Sequence, residues 1–436
     1  MGVGFGPANL ALAVALEEHA AGNYPVSAAF FERRRTFGWH GGMLLPSAKM
    51  QISFLKDLAT FRNPLSRFSF ISYLHEVGRL TGFVNNQDFF PTRREFHSYL
   101  EWAAARLADR VSYGTEVLAV RPGARTADGR VDRLEVELAG PAGTRHVTTR
   151  NLVVSTGLVP HLPVGIESGD ERICHSSEFL VRFGRWDHRA LRRVAVVGGG
   201  QSAAEIVRHL HDRLPHAQVS AVIPAYGYSI ADDTPFANRI FDPAAVDDYF
   251  YGSDRSRDAF WKYHKNTNYS VVDDEVIRDL FRRFYEDEVD GEPRLDFLPL
   301  SRVENVMRVG DDLRVTTHSL LTEAPSTFDV DAVVFATGYR PMDAAGLMGE
   351  LDGHCARDDK GRYRVDRDYR VVTAPELDCG IYLQGGTEHT HGLSSSLLSN
   401  MAVRGGEIAD SMVARMAARP QGFDGAMSRQ PVTNAR

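Results

Sequence analysis

The sequence predicts an α/β protein with two similar units, because a glycine-rich turn opens a helix at two distant places. The turns are Gly4-Phe5-Gly6-Pro7-Ala8-Asn9 and Gly198-Gly199-Gly200-Gln201-Ser202-Ala203. Glycine allows backbone with positive φ and close approach to a pyrophosphate, and the N–H groups of the helix that follows point towards the anion. Two such turns predict two Rossmann-like dinucleotide-binding domains, as in enzymes that pass electrons from a nicotinamide to a flavin.

The composition argues against several classes of partner. The chain has 436 residues, enough for two or three domains, and a formal charge of -7 without a basic block. We therefore expect small charged ligands, with no nucleic acid and no anionic membrane as partner. No apolar run is long enough to span a bilayer, and the start does not resemble a signal peptide. A cytoplasmic protein is predicted.

The three cysteines are isolated in the sequence. Cys174, Cys355 and Cys379 form neither a disulfide framework nor a CxxC pair. This excludes the disulfide reductases among the flavoproteins that bind two dinucleotides.

The first unit has an unusual start. Only Met1, Gly2 and Val3 precede Gly4, which is too short for the first strand of a dinucleotide fold. The expectation is that the sequence begins downstream of its true start or lacks residues, which would weaken the FAD site. Beyond the turn, Pro7 suits the first position of a helix, and an apolar stretch follows from Leu10 to Leu16.

The next strand of the first unit is predicted over Val26 to Phe31. It ends in Glu32, and an acidic side chain at this spacing accepts hydrogen bonds from the adenosine ribose of FAD. The alternative is a surface glutamate beside Arg33, Arg34 and Arg35. Spacing favours the ribose contact.

The second unit has a complete strand, turn and helix. A strand over Leu191 to Val197 enters the turn, and a helix is predicted from Ser202 to Leu214. The following strand, Val219 to Ile223, ends in Pro224. This end offers no acid for an NADH ribose and no arginine for a 2′-phosphate, so the residues leave NADPH and NADH both open.

Two further apolar strands close in a small-residue turn. They end in Ser155-Thr156-Gly157 and Ala336-Thr337-Gly338, and this repeated form indicates chain crossings between domains; the alternative is two ordinary buried parallel strands. Near the C-terminus, residues 380–386 predict a core strand, and a helix is predicted from about Leu393 to Ala418. The segment after Arg419 predicts a flexible tail.

Several longer motifs occur in order along the chain. They are the start at Gly4, Met50-Gln51-Ile52-Ser53-Phe54-Leu55-Lys56-Asp57-Leu58, Gly199-Gly200-Gln201-Ser202-Ala203-Ala204-Glu205, Asn266-Thr267-Asn268-Tyr269-Ser270, Ala336-Thr337-Gly338-Tyr339 and Thr390-His391-Gly392-Leu393-Ser394. Together these motifs resemble the flavin-dependent N-hydroxylating monooxygenases, and among them the bacterial L-ornithine N5-monooxygenases. The resemblance runs nearly end to end.

The resemblance implies an enzyme that uses FAD, NADPH and molecular oxygen. Such enzymes transfer oxygen from a C4a-hydroperoxyflavin to the side-chain amine of L-ornithine, for siderophores or natural products with N–N bonds. It also implies a homo-oligomer, a tetramer in many relatives. Some relatives hold the 2′-phosphate with an arginine where this chain has Pro224, so NADPH is implied by the resemblance alone.

The resemblance also implies roles for individual residues. Lys56 would pair with the substrate carboxylate, Asn238 and Asn268 would hydrogen-bond its α-amino and carboxylate groups, and Ser394 would close the site, with Ser395 and Ser396 as neighbours that could take that role. Gln51 would lie against the isoalloxazine and nicotinamide and, with Lys56 and Asn268, is predicted to be catalytic. The implied cofactor contacts are Gly4, Gly6, Pro7, Asn9, Glu32, Trp39, His40, Gln51, Gly198, Gly200, Gln201, Ser202, Thr337, Gly338 and Leu393.

Simpler interpretations exist for the substrate residues. Lys56 beside Asp57 could be half of a surface ion pair. Asn238 could belong to a turn and Asn268 could cap a helix.

Other polar clusters receive no catalytic role. His389 and His391 lie near Glu388, but two histidines at this spacing without a third ligand seldom bind a metal, so no metal site is predicted. The acidic runs 247–248 and 273–275 are interpreted as solvated faces.

The predicted organisation has three parts. Residues 1–160 and 336–436 would form the FAD domain, 161–225 and 286–335 the NADPH domain, and 226–285 a smaller, mainly helical substrate-binding segment. Two other functions stay open. One is a related oxygenase acting on lysine, a diamine or a sulfide, and the other is a nucleotide-binding protein that has lost catalysis through its short start.

Overall fold

The computed structural model describes residues 1–21, 26–166 and 169–417. The predicted flexible tail after Arg419 lies outside these residues. The strands are β1 (Gly2–Val3), β2 (Phe30–Glu32), β3 (Val111–Tyr113), β4 (Glu116–Pro122), β5 (Leu134–Gly140), β6 (Gly143–Thr149), β7 (Asn151–Val154), β8 (Leu158–Pro160), β9 (Ile173–His175), β10 (Arg193–Val197), β11 (Gln218–Val222), β12 (Leu295–Leu298), β13 (Ser301–Val309), β14 (Asp312–Ser319), β15 (Pro325–Val330), β16 (Ala332–Phe335), β17 (Tyr339–Pro341) and β18 (Gly380–Leu383).

Helices lie between several of these strands. The α-helices are α1 (Pro7–Ala21), α2 (Phe70–Glu76), α3 (Leu80–Asn86), α4 (Arg93–Ala105), α5 (Phe179–Phe183), α6 (Gln201–Arg213), α7 (Pro243–Phe250), α8 (Asp254–His264), α9 (Asp274–Asp290), α10 (Ala345–Met348), α11 (Glu388–His391) and α12 (Met401–Ala417). Short 3₁₀ helices span Gly41–Met43, Ala108–Arg110, Ser176–Glu178, Ala237–Phe241, Lys265–Thr267, Gly349–His354 and Leu393–Ser396.

Two parallel sheets confirm the predicted α/β fold with two dinucleotide-binding units. The first has the order β18-β7-β1-β2-β3 and the second the order β12-β11-β10-β16-β9. In each sheet the strand before the glycine-rich turn is central, flanked on both sides by parallel partners. A central position places the turn at the carboxyl edge of the sheet, where such folds bind their ligands.

Each sheet is covered by helices on one face and by an antiparallel sheet on the other. Alternate residues of β10 show this: Val194 and Val196 pack with α6, while Ala195 and Val197 pack against β13 and β14. The first sheet packs in the same way between α1, α4 and α12 and the meander β4-β5-β6. Burial of both faces explains why the parallel strands are nearly continuous apolar runs.

The prediction that the chain start is too short for a first strand is wrong. β1 has two residues, and it pairs with β2 and β7 on its two sides. Val153 N donates to Met1 O at 2.9 Å, Gly2 N donates to Ala29 O at 2.9 Å, and Gly4 N continues the ladder to Phe31 O at 2.9 Å. Because neighbours on both sides supply hydrogen bonds, two residues suffice for this central strand.

Three predicted element boundaries also differ from the structure. β2 begins at Phe30 instead of Val26. The helix predicted from Leu393 is a 3₁₀ turn over Leu393–Ser396, and α12 begins only at Met401. α9 continues to Asp290, past the predicted end of the substrate-binding segment at residue 285. The domain limits as a whole stay predictions.

The apolar stretch of α1 is buried on every side. Residues 10–16 are at most 2% exposed, because α1 lies between the first sheet and α12. Gly405 of α12 makes this approach possible, since a Cβ there would lie 3.0 Å from the carbonyl carbon of Ala11. The alanine-rich character of α1 thus reflects close helix packing.

The two small-residue turns carry the chain between the sheets. After β7 the chain enters β8 and continues to β9 of the second sheet, and after β16 it returns through β17 towards β18. β8 and β17 pair with each other as an antiparallel ribbon. Gly157 and Gly338, with φ of +79° and +81°, begin the two crossings.

The glycine-rich turns contact the strand ends that precede these crossings. A Cβ on Gly4 would lie 2.5 Å from Ser155 O, and a Cβ on Gly198 would lie 2.4 Å from Ala336 O. Both glycines also have positive φ, +81° and +144°. Neither position accepts another residue without moving backbone.

A buried ion pair joins the two units. Arg93 at the start of α4 donates to both carboxylate oxygens of Glu205 in α6, at 2.8 and 3.0 Å, and also to Met43 O at 2.8 Å. The side chain of Glu205 is 1% exposed. A carboxylate buried to this degree depends on its partner.

We expect Arg93→Met to lower the free energy of unfolding by about 3 kcal/mol, because it leaves the Glu205 carboxylate buried without its cation. Urea unfolding followed by circular dichroism measures this change. Arg182→Met is the control, since Arg182 pairs with the more exposed Glu178 and should cost less than about 1 kcal/mol. Equal losses in both variants would contradict the interpretation.

We expect Gly4→Ala and Gly198→Ala to separate the two sites. Gly4→Ala should lower the FAD bound per protein, whereas Gly198→Ala should retain FAD and weaken NADP⁺ binding by roughly tenfold or more. Flavin absorbance and an NADP⁺ titration measure these quantities. Gly143→Ala is the control, because Gly143 has φ +99° but open space at its Cβ position, in the turn between β5 and β6. Loss of both ligands in every variant would indicate general unfolding.

Candidate active site

The first glycine-rich turn combines open space with uncommitted backbone donors. No atom lies within 4 Å of the position that a Cβ of Gly6 would occupy. The first helical hydrogen bond of α1 runs from Leu10 N to Gly6 O, so the N–H groups of Ala8 and Asn9 precede the helical ladder. Pro7 at the first helical position has no N–H to leave unpaired. These features suit a pyrophosphate.

Asn9 braces this turn from the protein side. Its amide is completely buried, Nδ2 donates to Gly4 O at 2.7 Å, and Oδ1 accepts from Gln384 Nε2 at 2.8 Å. Gln384 directly follows β18. Asn9 therefore connects the turn to the strand at the edge of the sheet.

Glu32 is the last residue of β2, at the carboxyl ends of the parallel strands. Its Oε2 accepts from Phe5 N at 2.8 Å and its Oε1 from Arg34 N at 2.9 Å, so the carboxylate is held at the end of β2. In the loop that follows, the rings of Trp39 and His40 meet edge to face with centroids 4.5 Å apart. The His40 ring lies 6.4 Å from that of Tyr339, at the chain crossing.

The second glycine-rich turn faces the predicted substrate-binding segment. A Cβ on Gly200 would lie 3.7 Å from Ser270 Cα. The N–H groups of Gln201, Ser202 and Ala203 precede the first helical bond, which runs from Ala204 N to Gly200 O. The crossing beside this turn is fixed by Thr337, whose hydroxyl donates to His161 O, and by Gly338, whose carbonyl bonds His175 Nε2 at 2.9 Å.

A carboxylate joins Gln51 to the second turn. Asp273 Oδ1 accepts from Gln51 Nε2 at 2.9 Å, and Oδ2 accepts from Gln201 Nε2 at 2.8 Å. Sequence reasoning treated Asp273 as part of a solvated acidic run. Burial instead raises its pKa, and its contacts lie between the two units. The sequence carried no signal for this, because 222 residues separate Gln51 from Asp273.

Lys56 is a half-buried cation without a described carboxylate partner. Its Nζ lies 5.7 Å from the centroid of the Phe241 ring. Burial lowers the pKa of Lys56, and the Asp242 carboxylate opposes this shift. The adjacent Asp57 does not form the surface ion pair considered above. It is buried and accepts from the N–H groups of Ala59, Thr60 and Phe70 and from the Thr60 hydroxyl.

Asn238 lies on the same short 3₁₀ helix as Phe241, whose ring faces Lys56. The 3₁₀ helix Ala237–Phe241 also packs against the turn Leu393–Ser396. Asn238 Nδ2 donates to Asp233 O at 2.7 Å. The helix that carries Asn238 therefore contacts the Ser394 turn and, through Phe241, Lys56.

Asn268 follows the 3₁₀ helix Lys265–Thr267 as its C-terminal cap residue. The next residue ties this segment to α11, because the Tyr269 hydroxyl donates to Glu388 Oε1 at 2.6 Å. Ser396 donates to the same oxygen at 2.7 Å. Asn268 therefore lies on a segment that is anchored to the Ser394 turn.

The Ser394 turn is held from inside the protein. Ser394 and Leu393 are at most 2% exposed, and Ser394 Oγ accepts from Asn400 Nδ2 at 3.0 Å. The fully buried Arg404 donates to the carbonyl oxygens of Ser394 at 3.3 Å and of Ser395 at 2.7 Å. Sequence reasoning did not identify Arg404, because α12 also carries Glu407, Asp410 and Arg415 and the sequence does not distinguish the buried charge from the others.

The two histidines of α11 are engaged with backbone. His389 Nε2 bonds Tyr363 O at 2.8 Å, and His391 Nε2 bonds Arg367 O at 3.1 Å. The described residues contain no cluster of three or more His, Cys, Asp or Glu side chains that could hold a metal ion. Within the same ranges, no helix is both long and apolar enough to cross a membrane.

The residues present fit two dinucleotides. Each turn has a glycine with positive φ, Gly4 or Gly198, that lies close to neighbouring backbone. Each turn is also followed by helix N–H groups that have no helical partner. Several buried polar atoms of the segment between β18 and α12 also have no described hydrogen-bond partner, as expected beside a polar ligand or bound water. These atoms are Gln384 Oε1, Thr387 Oγ1, Ser395 Oγ, Ser399 Oγ and Asn400 Oδ1.

Comparisons with known proteins agree with this geometry. The L-ornithine N(5)-monooxygenase of Burkholderia cepacia is 42% identical over 398 residues, covering 90% of this chain and 89% of that protein. The solved structure of the Kutzneria sp. 744 ornithine N-hydroxylase with reduced FAD, NADP⁺ and L-ornithine is 63% identical, with a TM-score of 0.91, and covers 96% of this chain and 99% of that one. The L-lysine 6-monooxygenase of Pseudomonas syringae is 32% identical, with a TM-score of 0.81, and covers 95% and 98%.

A family model also matches most of the chain. It describes L-lysine 6-monooxygenase/L-ornithine 5-monooxygenase and matches residues 1–341. The match includes both glycine-rich turns and the residues around Lys56, and it confirms the resemblance inferred from the motifs. The chain therefore belongs to the L-lysine 6-monooxygenase/L-ornithine 5-monooxygenase family.

Proposed function

We propose that this chain hydroxylates the side-chain amine of L-ornithine with FAD, NADPH and molecular oxygen, giving N5-hydroxyornithine for siderophore or N–N bond biosynthesis. The observation that carries the proposal is the half-buried Lys56 cation, which forms no ion pair in the described ranges and lies 5.7 Å from the centroid of the Phe241 ring. An unpaired cation at this place is suited to a substrate carboxylate. The ornithine enzymes among the relatives support the choice of substrate.

The pocket would orient an amino acid by binding its α-carboxylate and α-amino groups. Lys56 would hold the carboxylate, and the amides of Asn238 and Asn268 would bond the α-amino and carboxylate groups, because an amide both donates and accepts. The side-chain amine then extends away from Lys56. Fixed orientation of this kind replaces a random encounter between amine and oxidant.

The cofactor sites would follow the two turns. Gly4, Gly6 and Pro7 would hold the FAD pyrophosphate and Glu32 its ribose, with Asn9 acting through the turn that it braces. Gly198, Gly200, Gln201 and Ser202 would hold NADPH. Bound FAD would accept a hydride from NADPH and activate oxygen. Trp39, His40, Gln51, Thr337, Gly338 and Leu393 would line the space between the two nucleotides.

The hypothesis of lost catalysis has lost its basis, because β1 is formed and paired on both sides. We further propose a homotetramer, as the resemblance implies, and a cytoplasmic location, as the sequence predicts. Light scattering of the purified protein measures the oligomeric state.

We expect Lys56→Ala to raise the KM for ornithine by about 10- to 100-fold, the equivalent of a lost charged hydrogen bond of about 1.5–3 kcal/mol. NADPH-dependent flavin reduction should stay close to that of the unsubstituted enzyme. Stopped-flow absorbance and product assays measure the two quantities. Lys49→Ala is the control, because Lys49 is an exposed cation already paired with Asp88 and Glu275. If flavin reduction fails as strongly as product formation, Lys56 belongs to a cofactor site.

We expect mass spectrometry to find ornithine with one added oxygen and little peroxide release. Lysine and putrescine should couple less well, although one methylene changes binding by only about 1–3 kcal/mol. Parallel reactions with NADPH and NADH give the nicotinamide preference. A preference for putrescine would contradict the carboxylate role of Lys56, and peroxide without product would reject all three substrates.

A further inference from the structure

Asp273 stands at the N-cap of α9 but does not cap it. Its backbone is extended, with φ −62° and ψ 138°, and its side chain makes no hydrogen bond to the first turn of the helix. An aspartate in this position ordinarily accepts from helix N–H groups, which stabilises the helix. Here the carboxylate turns instead to Gln51 and Gln201. Tertiary contacts have displaced the local preference.

Gln201 is fixed from several directions. Its Oε1 accepts from Asp273 N at 2.8 Å, and its Nε2 donates to Glu205 Oε1 at 3.0 Å as well as to Asp273. Glu205 is held in turn by the two hydrogen bonds from Arg93. Gln201 and Asp273 thus belong to a rigid hydrogen-bonded chain that begins in α4 and passes through α6.

The orientation of the Gln51 side chain depends on Asp273, the last member of this series of hydrogen-bonded residues. The bond to Asp273 is the one side-chain hydrogen bond of Gln51 in the described ranges, and the Gln51 side chain is otherwise exposed. An exposed glutamine without such a bond samples several rotamers. The direction in which its amide points therefore depends on Asp273.

We propose that Asp273 is a positioning residue that couples Gln51 to the second glycine-rich turn and so fixes the nicotinamide against the segment that carries Gln51. This inference rests on the proposed function, since it assumes the FAD and NADP(H) sites. Asp273 acts through Gln51 and Gln201 and is not itself placed against a reacting atom.

The geometry requires a carboxylate at this position. Two glutamine Nε2 groups point at residue 273, so two acceptor oxygens are needed. Asparagine offers one acceptor and one donor, and Gln201 cannot turn because its own oxygen is engaged with Asp273 N. In Asp273→Asn the Gln51 amide must therefore turn over or lose its partner.

The test is an NADP⁺ titration of the FAD-loaded protein, followed by the change in flavin absorbance. We expect Asp273→Asn and Asp273→Ala to raise the dissociation constant for NADP⁺ by on the order of tenfold, as for a lost charged hydrogen bond. FAD content should be unchanged.

The neighbouring Asp274 provides a matched control. Its carboxylate is partly exposed and pairs with Arg278 one turn along α9. Asp274→Asn and Asp274→Ala should leave the NADP⁺ dissociation constant unchanged. An equal effect of the Asp273 and Asp274 substitutions would overturn the proposal, since it would assign the effect to the start of α9.

A double substitution tests the coupling itself. Adding Asp273→Ala to Gln51→Ala should raise the dissociation constant less than Asp273→Ala does alone, because the contact with Gln51 is already absent. Fully additive effects would overturn the proposal. A merely structural role would lower the melting temperature without changing NADP⁺ affinity, and this result would also reject it.

These measurements are independent of the substrate assignment. They require bound FAD and NADP⁺ but no ornithine, so failure of ornithine hydroxylation leaves them interpretable. Should Asp273→Ala not fold, the isosteric Asp273→Asn still removes one of the two acceptor oxygens.

Discussion

The structure depends on the contact between each glycine-rich turn and a neighbouring strand end. Gly4 packs on Ser155 O and Gly198 on Ala336 O, and each carbonyl lies two residues before the glycine that begins a crossing between the sheets. The same few residues therefore shape a nucleotide turn and direct the chain into the other unit. A Cβ at either turn would collide with backbone, so a substitution there would disturb both the nucleotide turn and the chain crossing between the units.

Hydrogen-bonded charged groups then set how the two units face each other. Arg93 and Glu205 form the buried part of this contact. Gln201 and Asp273 extend it to the exposed side chain of Gln51. Buried charge is costly unless every polar atom finds a partner in a defined geometry. These hydrogen bonds therefore favour one relative arrangement of the two units over similar ones in which the bonds are broken. Lys56, the half-buried cation proposed to hold the substrate, lies against the Phe241 ring and forms no ion pair within the described residues.

The sequence predicted local features better than contacts. Strand, turn and helix around Gly198 were predicted to within about two residues, because each follows from a repeating pattern of apolar side chains. The length rule failed at β1, since a central strand receives hydrogen bonds from both neighbours. Periodicity also failed near Leu393, where the internal donors of Arg404 support a turn before α12 begins. Asn238 and Asn268 were proposed as substrate ligands from the family resemblance, and no local pattern indicated them.

The sequence by itself determined the α/β fold, the two dinucleotide turns and membership of the family. These depend on glycine, apolar periodicity and contiguous motifs, which are local properties of the chain. The tertiary structure decided which polar side chains meet. Asp273 illustrates this, because a run of three acidic residues resembles a solvated surface, while folding places its first carboxylate between Gln51 and Gln201. A hydrogen bond between residues 222 positions apart depends on the packing of whole elements, and no local pattern encodes it.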